Sequence, residues 1–233
     1  MIEVKNLSKF YDKQTVLDNI SLQVESGKII GLLGSSGSGK TTLMGIIGGI
    51  IPFNKGEVHI EQYPPGKESK AIVSMLTERN ALPKRMKVKD AVHFFKTMYQ
   101  DFNEKKFHDI IKSTHMQLHM DKRVNQLSKG MQQLLRLALT LGRDAKYYLL
   151  DEPLGGVDVF IKEQVMNILF GYVDEEATIL LSTHLIPDIE MLIEQVIFMD
   201  KGAIVGVHAC EDLRAEKGQS IKQAFKEAIR WGD

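Results

Sequence analysis

Two short stretches of this sequence have the residue types and spacing to handle a phosphorylated ligand. The run Gly34-Ser35-Ser36-Gly37-Ser38-Gly39-Lys40-Thr41 fits the pattern G-x-x-x-x-G-K-[ST]. Its glycines let the backbone curl so that successive N–H groups face phosphate oxygens. A helix starting at about Lys40 adds the partial positive charge of its N-terminus. In this pattern Lys40 reaches the β- and γ-phosphates of a nucleotide, and the Thr41 hydroxyl binds Mg²⁺. A Gly/Ser-rich turn that binds nothing is the plainer alternative. It is weakened by context, because the run lies between an apolar strand and an apolar helix, where the chemistry needs it.

The second stretch, Tyr147-Tyr148-Leu149-Leu150-Asp151-Glu152, is an apolar strand ending in two carboxylates. At the end of a buried strand, Asp151 can hold the Mg²⁺ that neutralises β- and γ-phosphate charge. Glu152, on the other face of the strand end, can orient or deprotonate an attacking water. Alone this pattern is weak, since many strands end in acidic turns; the phosphate loop and the following Pro153 strengthen it. Between the two stretches lies Leu127-Ser128-Lys129-Gly130-Met131. Ser128 is a good N-cap for a helix over 129–143, and a capped start followed by Gly130 is also a plausible anion site. The residues alone do not choose between these readings.

These groups need a scaffold, and hydrophobic spacing supplies it. Ile2, Val4 and Leu7, then Ile20, Leu22 and Val24, then Val58 and Ile60 read as half-buried antiparallel strands. Residues 28–33 (KIIGLL), 147–150 (YYLL) and 178–181 (TILL) read as fully buried strands. Helical spacing covers 88–99, 107–114 and 159–172, besides 129–143. The strand–helix–strand succession from 147 to 181 implies a right-handed parallel crossover. The all-helical stretch from Val88 to Arg143 interrupts the sheet. No repeat, low-complexity segment or flexible linker is visible, so residues 1–233 read as one unit.

Composition narrows the classes. Of 233 residues, 43% are hydrophobic and 26% charged, as in ordinary globular proteins. Lys plus Arg and Asp plus Glu both number 30, for a formal net charge of zero. That balance gives no support to a nucleic-acid partner, which normally requires a basic excess. Cys210 is the single cysteine, so no disulfide can form within the chain; it reads as a small residue packed near a strand end. No stretch reaches the roughly 20 apolar residues that span a bilayer, and residues 1–9 do not resemble a signal peptide. Any membrane role therefore requires another chain to make the crossing.

The segment 127–131 resembles the signature motif of ATP-binding cassette (ABC) proteins, usually Leu-Ser-Gly-Gly-Gln, and the other motifs follow in that family's order. Gly34 to Thr42 resembles the Walker A loop, and Asp151 and Glu152 the Walker B aspartate and catalytic glutamate. Tyr11 resembles the aromatic residue that stacks on adenine, its alternative being an exposed strand-end Tyr. Leu154-Gly155-Gly156-Val157-Asp158 resembles the D-loop, and Ser182-Thr183-His184-Leu185 the switch region, whose His184 contacts the γ-phosphate. The resemblance implies a P-loop NTPase of α/β class: an ABC nucleotide-binding domain with an antiparallel β-subdomain and a helical insertion over about 80–143. The other six histidines (59, 93, 108, 115, 119 and 208) lack such context.

Three departures stand out. Glu78 occupies the Q-loop position usually held by glutamine, where a carboxylate can still bind Mg²⁺ or water. Lys129 and Met131 replace a glycine and the glutamine of the signature, as in a bacterial subgroup with Leu-Ser-Lys-Gly-Met. The D-loop carries Gly-Gly-Val-Asp rather than Ser-Gly-Leu-Asp. Tyr99-Gln100-Asp101-Phe102-Asn103 is similar to a Tyr-Pro-Asp-Phe-Asp run in ABC-2-type exporters of antibiotics, cytolytic peptides or envelope components. By resemblance, then, the chain is an ATPase using ATP and Mg²⁺. It pairs head to tail with a second ABC ATPase subunit, identical or not, each ATP lying between the phosphate loop of one and Ser128-Lys129-Gly130 of the other. It docks on transmembrane permease subunits at the cytoplasmic face of the cell membrane through the insertion, where Met75, Leu82, Met86 and Phe94 are candidate contacts, though core packing is expected for at least half. A soluble ATPase acting on ribosomes or DNA is the alternative, disfavoured by the single cassette and the absence of a heptad run. A non-hydrolysing module would be expected to lack Glu152 or His184. With about 50 residues after His184, no large extra domain is expected there.

Overall fold

The structure is a computed structural model and describes residues 1–12, 14–77, 82–215 and 219–230. Its centre is a six-stranded sheet built from β3 (Ile29–Gly34), β5 (Val73–Leu76), β6 (Tyr147–Asp151), β7 (Thr178–Thr183), β8 (Gln195–Asp200) and β9 (Ala203–Ala209), in the order β5-β6-β7-β3-β8-β9. All neighbours are parallel except the β8–β9 hairpin. The central strands are apolar without alternation because both faces are covered. Leu33, Leu150 and Leu181 face one hydrophobic cluster, while Leu32, Leu149 and Leu180 face the other.

The second cluster is closed by helix α1 (Lys40–Ile47) and a three-stranded antiparallel sheet, order β2-β1-β4, of β1 (Ile2–Tyr11), β2 (Gln14–Val24) and β4 (Lys55–Ile60). The alternating residues that suggested half-buried strands, Ile2, Val4, Leu22, Val24, Val58 and Ile60, all point into it. Sequence periodicity missed β8 and β9. Their signal is a tight turn, Lys201-Gly202, with positive φ at both residues (46° and 82°), the geometry favoured by two-residue hairpins. The turn has a structural use: Gly202 N–H donates to the Ser38 carbonyl at 3.1 Å and its carbonyl accepts from Asp18 N–H at 2.9 Å. It thereby supports the phosphate loop from below.

Between β5 and β6 the described residues hold only helices: α3 (Val88–Met98), α4 (Glu104–Ser113), α5 (Lys129–Leu141) and two short 3₁₀ turns; the four-residue helix α2 (Lys67–Lys70) precedes β5. Spacing predicts the last long helix of this stretch to run to Arg143, but it stops at Leu141. Arg143 instead turns inward, 3% exposed. Its guanidinium grips Asp101 through Nε (3.0 Å) and Nη2 (2.9 Å), donates to the Val73 carbonyl at 2.7 Å, and lies 4.1 Å from the centre of the Tyr99 ring. Asn103 caps α4 by accepting from Lys106 N–H at 3.0 Å, and its own N–H reaches the Gly142 carbonyl at 2.7 Å. The Tyr99–Asn103 run thus has a physical job: it staples the insertion to the start of β5 and the end of α5.

Burial pushes the Cys210 thiol up to about 11, as expected of a packing residue; it opens α8 (Cys210–Ala215) directly after β9. The remaining helices are α6 (Val159–Tyr172), between β6 and β7 as spacing predicts, the short α7 (Ile186–Ile189), and α9 (Ile221–Arg230). No helix among the described residues is long and apolar enough to cross a membrane.

Removing the acid of a buried ion pair leaves an uncompensated charge, so Asp101→Ala should lower the unfolding free energy by about 2–4 kcal/mol. Asn103→Ala loses the α4 cap and an exposed hydrogen bond to Asp144, together about 1–2 kcal/mol. Urea denaturation of both variants checks this, and a loss below about 1 kcal/mol for Asp101→Ala would show that water replaces the carboxylate.

Candidate functional site

The register of the parallel sheet assembles the site. Leu33, one residue before the end of β3, lies opposite Thr183, the last residue of β7. Asp151, the last residue of β6, lies opposite Ser182. The loops leaving β3, β6 and β7 therefore start side by side at the carboxyl edge of the sheet, where open α/β sheets bind ligands.

Out of β3 comes the phosphate loop. Gly34 and Ser35 supply carbonyls that accept from Lys40 Nζ at 2.8 and 3.0 Å, which folds the ammonium over the loop. Ser38 is 2% exposed with its Oγ lacking a partner, while Ser35 and Gly37 are exposed. Gly39 opens α1 with φ of 103°, and a Cβ there would sit 2.7 Å from Leu17 Cδ2; no other residue type fits that turn. No side chain caps α1 and no acid lies in its first turn. Its amide groups and dipole thus face the loop without competition, a ready anion site.

Asp151 is 1% exposed. Its Oδ1 accepts from the Thr41 hydroxyl at 3.2 Å and the Ser182 hydroxyl at 2.5 Å, while Oδ2 is buried without a partner. Glu152 follows with φ of 47°, a left-handed conformation uncommon outside glycine and frequent at functional sites. Its N–H donates to Ser182 Oγ at 3.1 Å; its Oε1 shares a hydrogen bond with His184 Nδ1 at 2.9 Å, and Oε2 is buried without a partner. The orphaned oxygen of Asp151, on the carboxylate that meets the Thr41 hydroxyl, gives oxygen donors of the kind a hard cation such as Mg²⁺ prefers, so the residues present fit that ion.

A cavity of about 610 Å³ is lined by residues 36–42 together with Val16, Gln133, Arg136, Glu152, Gly155, Gly156 and His184. Sequence reasoning passed over Gln133 and Arg136. Their signal was available, since two polar residues three apart within the apolar stretch of this helix share one face.

The other predicted residues lie elsewhere. Tyr11, at the end of β1, is 45% exposed with Lys9 Nζ 4.5 Å from its ring centre, and is not among the residues lining the cavity. Ser128 caps α5, its Oγ accepting from Met131 N–H at 3.2 Å, and is solvent-exposed. Gly130 is buried where a Cβ would lie 2.6 Å from Ile161 Cγ1, so the glycine lets α5 press against α6. Asp158 caps α6 by accepting from Ile161 N–H at 3.0 Å, with the exposed apolar pair Val159 and Phe160 beside it. Glu78 lies outside the described residues. Met75, Leu82 and Met86 pack against the two clusters, whereas Phe94 is exposed.

An α/β fold of this topology, with a phosphate loop on β3 and an acidic strand end beside it, defines a P-loop NTPase. The comparisons narrow the class. Residues 17–155 match the profile of the ABC transporter family. An uncharacterized ABC transporter ATP-binding protein of Methanocaldococcus jannaschii is 34% identical over 91% of this chain and 79% of its own. A lantibiotic transport ATP-binding protein of Streptococcus pyogenes is 29% identical over 88% of this chain and 89% of its own. A SkfA peptide export ATP-binding protein of Bacillus subtilis is 28% identical, covering 100% and 99%. Among solved structures, an ATP-binding subunit of an ABC transporter superposes with a TM-score of 0.87 at 21% identity, covering 98% and 99%. A dimeric ATP-binding cassette with ADP and Pi gives 0.78 at 23% identity, covering 90% and 99%.

The chain belongs to the ABC transporter family, as the ATP-binding and ATP-hydrolysing subunit that powers a membrane transporter. Nothing in these relationships favours a ribosome- or DNA-acting ATPase.

Gly130→Ala should destabilise the fold by about 1–3 kcal/mol through overpacking, and Ile161→Ala should relieve part of that cost. A double-mutant cycle by thermal or urea unfolding should return a coupling of at least about 0.5 kcal/mol; strict additivity would remove the packing explanation for this glycine.

Proposed function

We propose that ATP binds with its phosphates over residues 34–42 and that Glu152 drives its hydrolysis. The observation carrying this reading is the convergence of Lys40, Thr41 and the buried Asp151 with the Glu152–His184 pair around one cavity. Lys40 and the amide groups of α1 hold the β- and γ-phosphates. Thr41 and Asp151, together with Glu78 as the resemblance implies, would hold Mg²⁺, which when bound neutralises phosphate charge. Glu152 accepts a proton from the water that attacks the γ-phosphorus, and the bond to the ADP oxygen breaks. His184 contacts the γ-phosphate while its hydrogen bond keeps the Glu152 carboxylate in place. Tyr11 stacks on adenine with its exposed ring.

The second half of each ATP site comes from a partner ATPase subunit, identical or different. Ser128, Lys129 and Gly130 at the start of α5, together with Asp158, face the partner's nucleotide. Their support is placement: Ser128 and Asp158 cap neighbouring helices on the surface, and exposed Val159 and Phe160 adjoin them. ATP closes this dimer because its γ-phosphate touches both subunits, and hydrolysis removes the bridge; the driving force is the difference in affinity for the closed and open forms. The whole chain acts as one cassette whose insertion, about 80–143, docks a transmembrane permease and holds the subunit at the cytoplasmic face of the membrane. Exposed Phe94, Met98 and Leu118 offer apolar contacts there. Names of two relatives, lantibiotic transport and peptide export, favour export of peptides or antibiotics.

Glu152→Gln should bind MgATP, accumulate as a closed dimer and turn over at about 1% or less of the wild-type rate, a loss typical of a missing general base. Tagged Glu152→Gln purified with MgATP from detergent-solubilised cells should bring down multi-span membrane chains, and mass spectrometry reveals whether a second cassette accompanies them. Near-normal turnover overturns the role of Glu152, and recovery of soluble chains alone overturns the permease docking.

A further inference from the structure

The balanced charge of the chain conceals a local excess on the helical insertion. Residues 84–89 run antiparallel to residues 120–125: Val88 N–H donates to the Lys122 carbonyl at 3.0 Å, and Val124 N–H to the Met86 carbonyl at 2.9 Å. Met86, Val88 and Val124 pack into the apolar cluster. Their neighbours are basic: Lys84, Arg85, Lys87 and Lys89 on one segment, Lys122 and Arg123 on the other, all exposed except the half-buried Lys87. Lys87 and Arg123 lie directly opposite each other. The hydrogen bonds flank them, which makes them a non-hydrogen-bonded pair, the arrangement that brings side chains closest. Like charges so placed are destabilising. Among the described residues, only Lys89 of the six has an ion-pair partner, Asp121 at 2.6 Å. Lys89, and more weakly Lys87, hold the Asp121 carboxyl below its usual range, so that one acid is already shared. The Lys87–Arg123 pair gains most from an anion that meets both.

Resting on the reading that the insertion faces the membrane, we propose that this basic edge binds the anionic headgroups of the lipid surface beside the permease. Several exposed cations spread over two segments suit a diffuse layer of negative charge. Four of the six are lysines, compact point charges without the planar fork that fits a single carboxylate. Leu118, 74% exposed, lies in the turn that leads to Lys122, and interfacial anchors combine such an apolar side chain with basic ones. These features favour lipid over an acidic protein segment, and zero net charge disfavours nucleic acid. Screening confines the attraction to about 8 Å at physiological ionic strength. The patch therefore acts at close range, orienting an insertion that the permease has already brought to the membrane.

Co-sedimentation of the full chain at low ionic strength with vesicles of phosphatidylcholine, alone or mixed with phosphatidylglycerol, tests this. Wild type should bind the mixed vesicles only, and added salt should release it. Lys87→Gln and Arg123→Gln should each weaken that binding about fivefold, the equivalent of 1 kcal/mol per cation, and together more than about tenfold. Neither should lower the melting temperature, because each relieves a like-charge pair; either single variant carries the test if the other folds poorly. Lys55→Gln, in β4 of the antiparallel sheet, should bind as wild type does. Failure of wild type to bind the mixed vesicles, or equal binding by the double variant, overturns the proposal. If that double variant also loses the membrane chains recovered with Glu152→Gln, the patch belongs to the permease instead. Intact vesicle binding by a wild-type chain that recovers no membrane chains supports the proposal and faults the docking reading alone.

Discussion

A buried carboxylate organises the chemistry of this protein. Asp151 is nearly inaccessible to solvent, and one of its oxygens takes hydrogens from Thr41 and Ser182, which belong to two other elements. An ionised group in such a place is costly unless its oxygens are satisfied. Two hydroxyls satisfy one oxygen; the other is left buried without a partner. Helix α1 and strands β6 and β7 are thereby pinned at one point, and the open oxygen creates an affinity for a cation that arrives with phosphate. Strand order makes this possible, because β7 sits between β3 and β6 and carries Ser182 on one side and Thr183 on the other.

A second constraint holds the helical insertion. The chain leaves the sheet after β5 and returns at β6, and Arg143 ties both ends together by binding Asp101, the Val73 carbonyl and the face of Tyr99. Burying a guanidinium is tolerable only with this many partners. The start of α5 is then fixed from the opposite side by Gly130 pressed on Ile161 of α6. Helices α5 and α6 therefore pack closely at this point, each presenting its capped N-terminus, Ser128 and Asp158. The Gln133–Pro153 hydrogen bond links α5 directly to the turn that follows Glu152.

Much of this was legible beforehand, and for definite reasons. The phosphate loop is legible because its chemistry is done by backbone and adjacent side chains, so all its parts are contiguous in sequence. Strands β3, β6 and β7 are legible because burial on both faces demands unbroken apolar runs, and α6 because its ends, Val159 and Tyr172, coincide with its apolar periodicity. Strand β9 was not, since it is only half buried and carries no alternation, whereas the short apolar run of β8 was passed over although it is buried like the central strands. The end of α5 was misjudged because periodicity counts Arg143 as one more helical residue, while a partner 42 positions away in sequence draws it inward.

The sequence by itself determined the class of fold, the phosphate loop, the acidic strand end and the glycines where no side chain fits. Each depends on local backbone geometry or on burial, and both leave marks within a few residues. Tertiary structure alone decided that Ser182 completes the environment of Asp151, that Glu152 adopts a left-handed backbone with His184 at its carboxylate, and that Arg136 and Gln133 face the nucleotide cavity. Those relations join residues that no spacing rule connects, because the register between parallel strands and the packing of α5 on the sheet are set by the whole core.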